Sequence, residues 1–166
     1  LLTQDAAAKN RLLQYAAGHR SEAQEFCWLA EPWDKTYLGF EDQALTGRLQ
    51  PFMMARCLDA RLALAKLPVA ESMSSGSVVV LLTDKMIERN NHLLQLRTSP
   101  GKLEAVSTLE QEEVTMDMGA FTQLYFGAFS ASELWEAGHI KCSDVRKLQL
   151  LDELFPKCRT YNNEYF

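Results

Sequence analysis

The C-terminus holds the most reactive group that this sequence offers. The chain ends Tyr-Asn-Asn-Glu-Tyr-Phe, with Phe166 as its last residue. Because chain termini usually fray into solvent, an aromatic end without a polar tail predicts a docked terminus. The α-carboxylate of Phe166 is ionised at neutral pH, and desolvation beside an amine would raise its basicity, so that it could accept the proton of that amine. The alternative is a ring that fills the core while the carboxylate pairs with an arginine.

Trp28 and Trp33 flank Pro32 and are candidates for binding a substrate. The faces of two indole rings attract a cation, so the pair would form an aromatic wall for an amine. Structural packing of the two rings is the alternative that the sequence leaves open. Several methionines are adaptable enough to line an apolar cavity or to fill a core: Met53, Met54, Met116 and Met118.

The histidines lack the spacing of metal ligands, which predicts structural or surface roles for them. The cysteines form no C-x-x-C pair and are predicted to be buried small apolar residues, with a disulfide or a metal site as the alternative. These residues are His19, His92, His139, Cys27, Cys57, Cys142 and Cys158. Gly76 and Gly101 are isolated, and no glycine-rich loop is present of the kind that cradles the pyrophosphate of acetyl-CoA. The sequence therefore predicts no metal ligand and no cofactor-binding residue in this chain.

Composition limits the class of protein. The net charge of −5 and the pI near 5.2 argue against a partner that is a nucleic acid or an anionic membrane surface. No apolar run is long enough to span a membrane, and the first residues do not form a secretory signal. We expect a cytoplasmic protein with reduced cysteines. Since Leu1 is not a methionine, we also expect a further N-terminal segment.

The periodicity of the first part of the chain predicts a helix over 3–19, capped by Thr3 or Asp5, and strands over 25–30 and 52–58. A weak helical pattern covers 33–45. Asp59 is positioned to cap a short helix over 60–67.

The remainder reads as strands followed by helices. Strands are predicted over 78–82, 93–97, 102–107 and 114–116. A helix is predicted over 118–126 with Asp117 as its cap, and a second over 130–138 with a capping box of Ser130 and Glu133. A third is predicted from a Ser143 cap onward, with Val145, Leu148, Leu150 or Leu151, and Leu154 on the apolar side. Asn90-Asn91 fits a turn because Asn tolerates the left-handed conformation. This order indicates an α+β fold.

Four segments, in order, resemble the sterol-carrier-protein-like domain that closes Eis (enhanced intracellular survival)-type GNAT acetyltransferases. Leu-Gln-Pro-Phe-Met-Met-Ala-Arg-Cys-Leu-Asp at 49–59 resembles the family's P-x-F-M-A-R-I-V-D-V strand. Residues 114–127 resemble its strand and helix that end in Tyr/Leu-x-Gly, and residues 130–140 its S-x-x-x-L-x-x-x-G-x-I stretch. Tyr161 to Phe166 resembles its Y-x-x-D-Y-F terminus. Residues 10–34 are similar to the end of the family's second GNAT-like region.

The resemblance implies two parts: 1–48 as the remnant of a GNAT-like region, with a helix and a strand, and 49–166 as a sterol-carrier-protein-like sheet with packed helices. It also implies that the chain is the C-terminal portion of an N-acetyltransferase that moves acetyl from acetyl-CoA, its co-substrate, to an amine such as an aminoglycoside or a lysine. The N-terminal GNAT domain of the same polypeptide would be its partner, and members associate as homo-oligomers. This chain alone would then be inactive.

Residue by residue, the resemblance implies a catalytic carboxylate at Phe166 and adds Tyr165 to the candidate substrate-binding residues. Two positions depart from the family pattern, since Asn90-Asn91 stands in place of Asn-Gly and Glu164 in place of Asp. The alternative function is that of a module that binds an apolar ligand such as a lipid.

Overall fold

The computed structural model describes residues 5–31, 33–39, 45–48 and 54–158. The chain divides into two units, Leu1–Pro51 (unit 1) and Phe52–Phe166 (unit 2).

The described part of unit 1 forms one α-helix, within the range predicted from the sequence. Helix α1 is Ala6–Gly18, and the side chain of Asp5 caps it by accepting a hydrogen bond from the backbone N–H of Ala8. Of the weak helix predicted over 33–45, the described part forms only a 3₁₀ turn, Thr36–Gly39. The prediction of a strand over 25–30 is wrong: this segment is extended chain that joins no ladder among the described residues. A strand needs a neighbour for its backbone groups, and apolar composition alone does not supply one.

The described residues of unit 2 form four helices and one sheet. The helices are α2 (Ala60–Ala65), α3 (Met118–Tyr125), α4 (Ala131–Glu136) and α5 (Val145–Leu154). The strands are β1 (Gly76–Thr83), β2 (His92–Ser99), β3 (Lys102–Ser107), β4 (Val114–Asp117) and β5 (Ile140–Cys142). A 3₁₀ turn, Glu88–Asn90, precedes β2. The α+β class predicted from the sequence is confirmed.

The five strands form a mixed sheet in the order β3-β2-β1-β4-β5. Strand β1 pairs antiparallel with β2 and parallel with β4, and the outer pairs β2–β3 and β4–β5 are antiparallel. Directly paired residues share a face of a sheet. The register therefore places Val80, Leu94 and Val114 on one side, where all three are buried.

That side of the sheet faces the helices and forms the core. Leu148 and Leu151 of α5 and Phe121 and Leu124 of α3 are buried within the same cluster as the strand residues. Leu64 of α2 belongs to the same cluster. Three of these helices begin at the predicted N-terminal caps, which are Asp59, Asp117 and the capping box of Ser130 with Glu133.

Four local predictions differ from the structure. Residues 54–58, the described part of the strand predicted over 52–58, join no ladder, although Cys57 is buried. Asp144, not Ser143, caps α5, which leaves Val145 more than half exposed instead of on the buried side. Strand β5 was not predicted, because three residues are too few to show a period. Neither Asn90 nor Asn91 has a positive φ, so their turn does not depend on the left-handed conformation.

Candidate functional site

A groove of about 650 Å³ lies beside α2, on the side of the sheet that faces the helices. Its floor is formed by Leu103 and Ala105 of the edge strand β3, and Leu62, Leu64 and Ala65 of α2 form its wall. The groove exists because α2 has only six residues and stands over the β3 end of the sheet, while the longer helices cover the centre. Leu62 is 55% exposed there.

The rim of the groove is cationic. Arg61, Arg89 and His92 line it together with one carboxylate, Asp59. The Nη1 atom of Arg61 lies 3.5 Å from the Oγ atom of Ser107. Within the described part of the chain, neither guanidinium lies within ion-pair distance of a carboxylate. The Asp59 side chain is already engaged, since its Oδ1 accepts a hydrogen bond of 2.9 Å from the backbone N–H of Leu62.

His92 is partly buried at the junction of the floor and the rim. Burial is the main cause that lowers the pKa of His92 below its ordinary value of 6.5, and the charge of Arg61 lowers it further, against a smaller opposing effect of Asp59. The imidazole is therefore neutral at pH 7, and the fixed positive charge of the rim resides on the two arginines.

A polar network around the buried residues Asp84 and Asn90 holds the α2 end of the groove in place. We call it the Asp84 clamp, and it comprises Arg56, Asp84, Asn90 and Asn91. Asp84 follows β1, and its Oδ1 accepts a hydrogen bond of 2.5 Å from Nη2 of Arg56. The same oxygen accepts hydrogen bonds from the backbone N–H groups of Met86 and Ile87, which precede the 3₁₀ turn. The amide of Asn90, the largest cause, and these other donors lower the pKa of Asp84 to about 2.

Asn90 connects the clamp to α2. Its Nδ2 donates to Asp84 Oδ2 at 2.9 Å and to the carbonyl oxygen of Leu58 at 3.3 Å. Its Oδ1 accepts from the backbone N–H of Ala60 at 3.2 Å, so it satisfies an N–H of the first helical turn that has no partner inside the helix. Asn90 is 1% exposed and Ala60 is fully buried, so water cannot replace these bonds.

A much smaller space lies in the interior of the described part of the domain. A void of about 10 Å³ lies between the sheet and the helices, lined only by apolar side chains that include Leu64, Leu94 and Phe155. That volume is at the limit for one water molecule, whereas small-molecule sites measure about 300–1,000 Å³. Of the methionines that the sequence suggested for a cavity or a core, Met116 and Met118 are buried in the core, Met54 is 97% exposed, and Met53 lies outside the described residues. Cys27 and Cys158, which were predicted to be buried, are exposed.

The structure places the predicted site residues of unit 1 around Asp34. Its carboxylate accepts hydrogen bonds from the backbone N–H and the hydroxyl of Thr36 and forms an ion pair of 3.6 Å with Lys9 of α1. The hydroxyl of Thr36 is the main cause that lowers the pKa of Asp34, and the indole of Trp28 contributes less. Trp28 Nε1 is buried and lies near this carboxylate, but its geometry is not that of a hydrogen bond.

The two tryptophans are partly buried, and the predicted site residues at the C-terminus are not described. Trp28 is partly buried and lies 6.0 Å from the ring of Phe26, and Trp33 is partly buried in the turn that leads to Thr36. Tyr165 and Phe166 lie outside the described residues. Among the residues that the structure describes, no group of three His, Cys, Asp or Glu side chains is arranged to hold a metal ion. In the same ranges no helix is both long and apolar enough to cross a bilayer.

The sequence did not indicate the groove. Arg61 and Arg89 carry no motif, and His92 was predicted to have a structural or surface role. The one available signal was that an exposed leucine and an arginine adjoin each other on a helix as short as α2, directly after the Asp59 cap. Their meeting with Leu103 and Ala105 depends on long-range packing.

Solved structures share this fold. A GCN5-related N-acetyltransferase from Anabaena variabilis matches 95% of this chain with a TM-score of 0.71 and 20% identity, and the match covers 40% of that protein. A protein of unknown function from Enterococcus faecalis, described as a probable N-acyltransferase, matches 90% of the chain with a TM-score of 0.71 and 22% identity over 38% of its own length. A GCN5-related N-acetyltransferase from Kribbella flavida matches 67% with a TM-score of 0.59 and 24% identity over 29% of its length.

At these identities the structural matches establish the fold alone. The chain spans about 40% of the length of the Anabaena and Enterococcus proteins. No curated protein matches the sequence. A family model described as the sterol carrier protein domain matches residues 60–163, which include all five strands and α2 to α5. Since this match covers more than half of the chain, the protein belongs to the sterol carrier protein domain family.

Proposed function

We propose that this chain is the C-terminal portion of a GNAT-family N-acetyltransferase, which transfers acetyl from acetyl-CoA to an amine. The observation that carries the proposal is the asymmetry of the structural match. The fold of the Anabaena N-acetyltransferase accounts for 95% of this chain, while this chain accounts for 40% of that enzyme. A portion of that kind supplies part of a substrate pocket and leaves acetyl-CoA binding to the rest of the polypeptide.

The exposure of unit 1 supports the proposal. Among its described residues only Thr36 is buried, and α1 buries none. Tyr15 is 70% exposed, Leu38 69% and Phe26 58%. Where such side chains form a contiguous patch, they usually mark a surface that another part of the protein or a partner covers. In the proposed enzyme that cover is the N-terminal GNAT domain of the same polypeptide or a neighbouring subunit of a homo-oligomer.

Within this proposal Phe166 provides the catalytic group. Its α-carboxylate accepts the proton of the substrate amine, which leaves a nucleophilic nitrogen for attack on the thioester of acetyl-CoA. Trp28, Trp33 and Tyr165 contribute aromatic surface to the amine pocket. The carboxylate of Asp34 lies near Trp28, where a cationic amine would compete for it with Lys9.

The test compares two changes at the terminus of the polypeptide encoded by the complete reading frame. Release of CoA from acetyl-CoA is measured with a panel of amines, including aminoglycosides and lysine peptides. Deletion of Phe166 moves the carboxylate by one residue and should lower kcat at least about a hundredfold, since general-base catalysis contributes about 10²–10⁴. The matched control, Phe166→Leu, retains a terminal carboxylate at the same position and should keep most of kcat.

The outcomes separate the parts of the proposal. Equal kcat after deletion of Phe166 would remove the catalytic role of that carboxylate while leaving the enzyme class intact. Absence of acetyl transfer to every amine would refute the enzyme class. Turnover by the isolated chain of 166 residues would contradict its assignment as a portion that lacks acetyl-CoA binding.

Binding of an apolar ligand is the second candidate function, and the groove beside α2 is the observation that favours it. The interior void of about 10 Å³ is too small for a lipid. Of these two spaces only the groove is large enough for such a ligand, and apolar surface and fixed charge meet there.

A further inference from the structure

We infer that the backbone contact between Gly127 and Cys158 positions the α-carboxylate of Phe166 for the proposed acetyl transfer. The contact lies where the chain leaves α5, and an ion pair between Lys157 and Glu133 accompanies it. We call Gly127, Glu133, Lys157 and Cys158 the tail anchor. The inference rests on the proposed function, and it assigns to the tail anchor the role of holding the carboxylate in place.

Gly127 allows two segments of backbone to touch. It follows α3 with a φ of 65°, and its carbonyl oxygen accepts a hydrogen bond of 2.9 Å from the backbone N–H of Cys158. A Cβ at this position would lie 2.6 Å from the Cys158 nitrogen and 2.8 Å from the carbonyl oxygen of Pro156. Glycine combines this conformation with so close an approach because it has no Cβ. The chain after α5 is therefore held against the end of α3 by its backbone.

The residues just before the contact hold the same stretch of chain. Phe155 is 3% exposed and packs edge-on against the ring of Phe121, with 6.2 Å between the ring centroids. The Nζ atom of Lys157 lies 2.7 Å from Oε1 of Glu133, whose carboxylate also belongs to the capping box of α4. Both partners of this ion pair are about half exposed, so solvent weakens it, and the backbone bond is the stronger part of the tail anchor.

The tail anchor restrains a part of the chain that lies beyond the described core. Helix α5 ends at Leu154, and Phe155 is the last residue of the buried cluster. Among the described residues no helix or strand follows Lys157 and Cys158. Their contacts therefore restrain the start of the segment 159–166 and not the packing of a further element.

A fixed start limits where the carboxylate can be. Phe166 is the eighth residue after Cys158, so even a fully extended chain would carry its carboxylate no more than about 29 Å from the tail anchor. A catalytic group acts only when it is held close to the reacting atoms, and a displacement of about 1 Å can lower a rate about a hundredfold. Release of the tail anchor would lengthen the free segment and lower the fraction of time in which the carboxylate meets the amine.

Two substitutions at Cys158 test the inference in the polypeptide encoded by the complete reading frame. Cys158→Pro removes the backbone N–H that donates to Gly127, whereas Cys158→Ala keeps it and is the matched control. Cys158 is exposed, so both variants should fold, which circular dichroism verifies. Cys158→Pro should lower kcat about tenfold and leave the KM for acetyl-CoA unchanged, while Cys158→Ala should match the wild type. A tenfold change corresponds to about 1.4 kcal/mol, which is the size of one intramolecular hydrogen bond.

The ion pair provides a second variant on the surface of the protein. Lys157→Gln removes the charge that faces Glu133 and should lower kcat about threefold, and Lys157→Arg should restore it.

The substitution Cys158→Pro in the variant that lacks Phe166 separates positioning from a structural role. Without a carboxylate at its proper position the tail anchor has nothing to place, so Cys158→Pro should cause no further loss of kcat there. An equal loss in both backgrounds would show a structural role and overturn the inference. If deletion of Phe166 lowers kcat but Cys158→Pro and Cys158→Ala are equally active, the inference is wrong and the proposed function stands. If deletion of Phe166 has no effect, the catalytic role of the carboxylate and the inference fail together.

Discussion

Replacement of Asn90 by Ala should detach α2 from the Asp84 clamp. The side chain of Asn90 forms three hydrogen bonds that link Asp84, Leu58 and Ala60. Alanine at this position forms none of them and leaves the site buried. The neighbouring substitution, Asn91→Ala, is a matched control, because the Asn91 amide also forms three bonds but is exposed to solvent.

The size of the effect follows from burial. The N–H of Ala60 lies in a fully buried residue, and a buried donor left without an acceptor costs about 1–3 kcal/mol. Loss of the contacts of the buried amide adds to that term, so we expect Asn90→Ala to lower the free energy of unfolding by about 3 kcal/mol. Water can replace the partners of Asn91, and we expect about 1 kcal/mol for Asn91→Ala.

Urea unfolding of both variants, followed by far-ultraviolet circular dichroism, measures these differences. Amide hydrogen exchange at Ala60 adds a local readout, since its protection should fall in Asn90→Ala and persist in Asn91→Ala. If Asn90→Ala is no less stable than Asn91→Ala, or if Ala60 keeps its protection, the clamp does not position α2 and the reasoning is wrong.

Two further predictions concern backbone strain and pH. Gly127→Ala should lower the free energy of unfolding in urea by about 3 kcal/mol, because Gly127 has a φ of 65° and a Cβ would lie 2.6 Å from the backbone nitrogen of Cys158. The control is Gly138→Ala, which has a φ of 78° and open space around it and should cost about 1 kcal/mol. Equal losses in the two variants would refute the steric part of the argument. The pKa of Asp84 is lowered from 3.8 to about 2 in the folded protein. The ionised carboxylate therefore stabilises the fold above the pKa of the unfolded state, and this stabilisation is lost as pH falls through about 2. Urea midpoints between pH 5 and pH 2 should fall less steeply for Asp84→Asn than for the wild type, and parallel curves would contradict the assignment.

Local patterns were sufficient for much of unit 2. The Asp59, Asp117 and Ser130 caps each depend on a side chain and a backbone N–H within three residues, so the sequence contains the whole interaction. The strand over 102–107 was predicted as well. At the last helix two adjacent residues were both suitable caps, and the path of the chain out of β5 decides for Asp144.

The parts that were not predicted depend on distant partners. Strand β5 is a strand because β4 lies beside it, and the segments 25–30 and 54–58 have strand-like composition but no such neighbour. The groove forms where α2 reaches the edge of the sheet, through the bond between Asn90 and Ala60 across the fold. The turn at Asn90 was predicted, but its cause is the pair of side-chain amides and not a left-handed backbone.

The parallel pairing of β1 with β4 sets an order of assembly in time. Strands β1, β2 and β3 are joined by short connections and can pair as soon as they leave the ribosome, whereas β4 reaches β1 only after the β2–β3 hairpin has been made. Helices α3, α4 and α5, which cover most of the apolar face, come later still. During synthesis the nascent β1–β2–β3 segment therefore leaves Val78, Val80, Leu94 and Leu96 uncovered until α5 emerges. In this interval the chain is most exposed to aggregation or to capture by a chaperone.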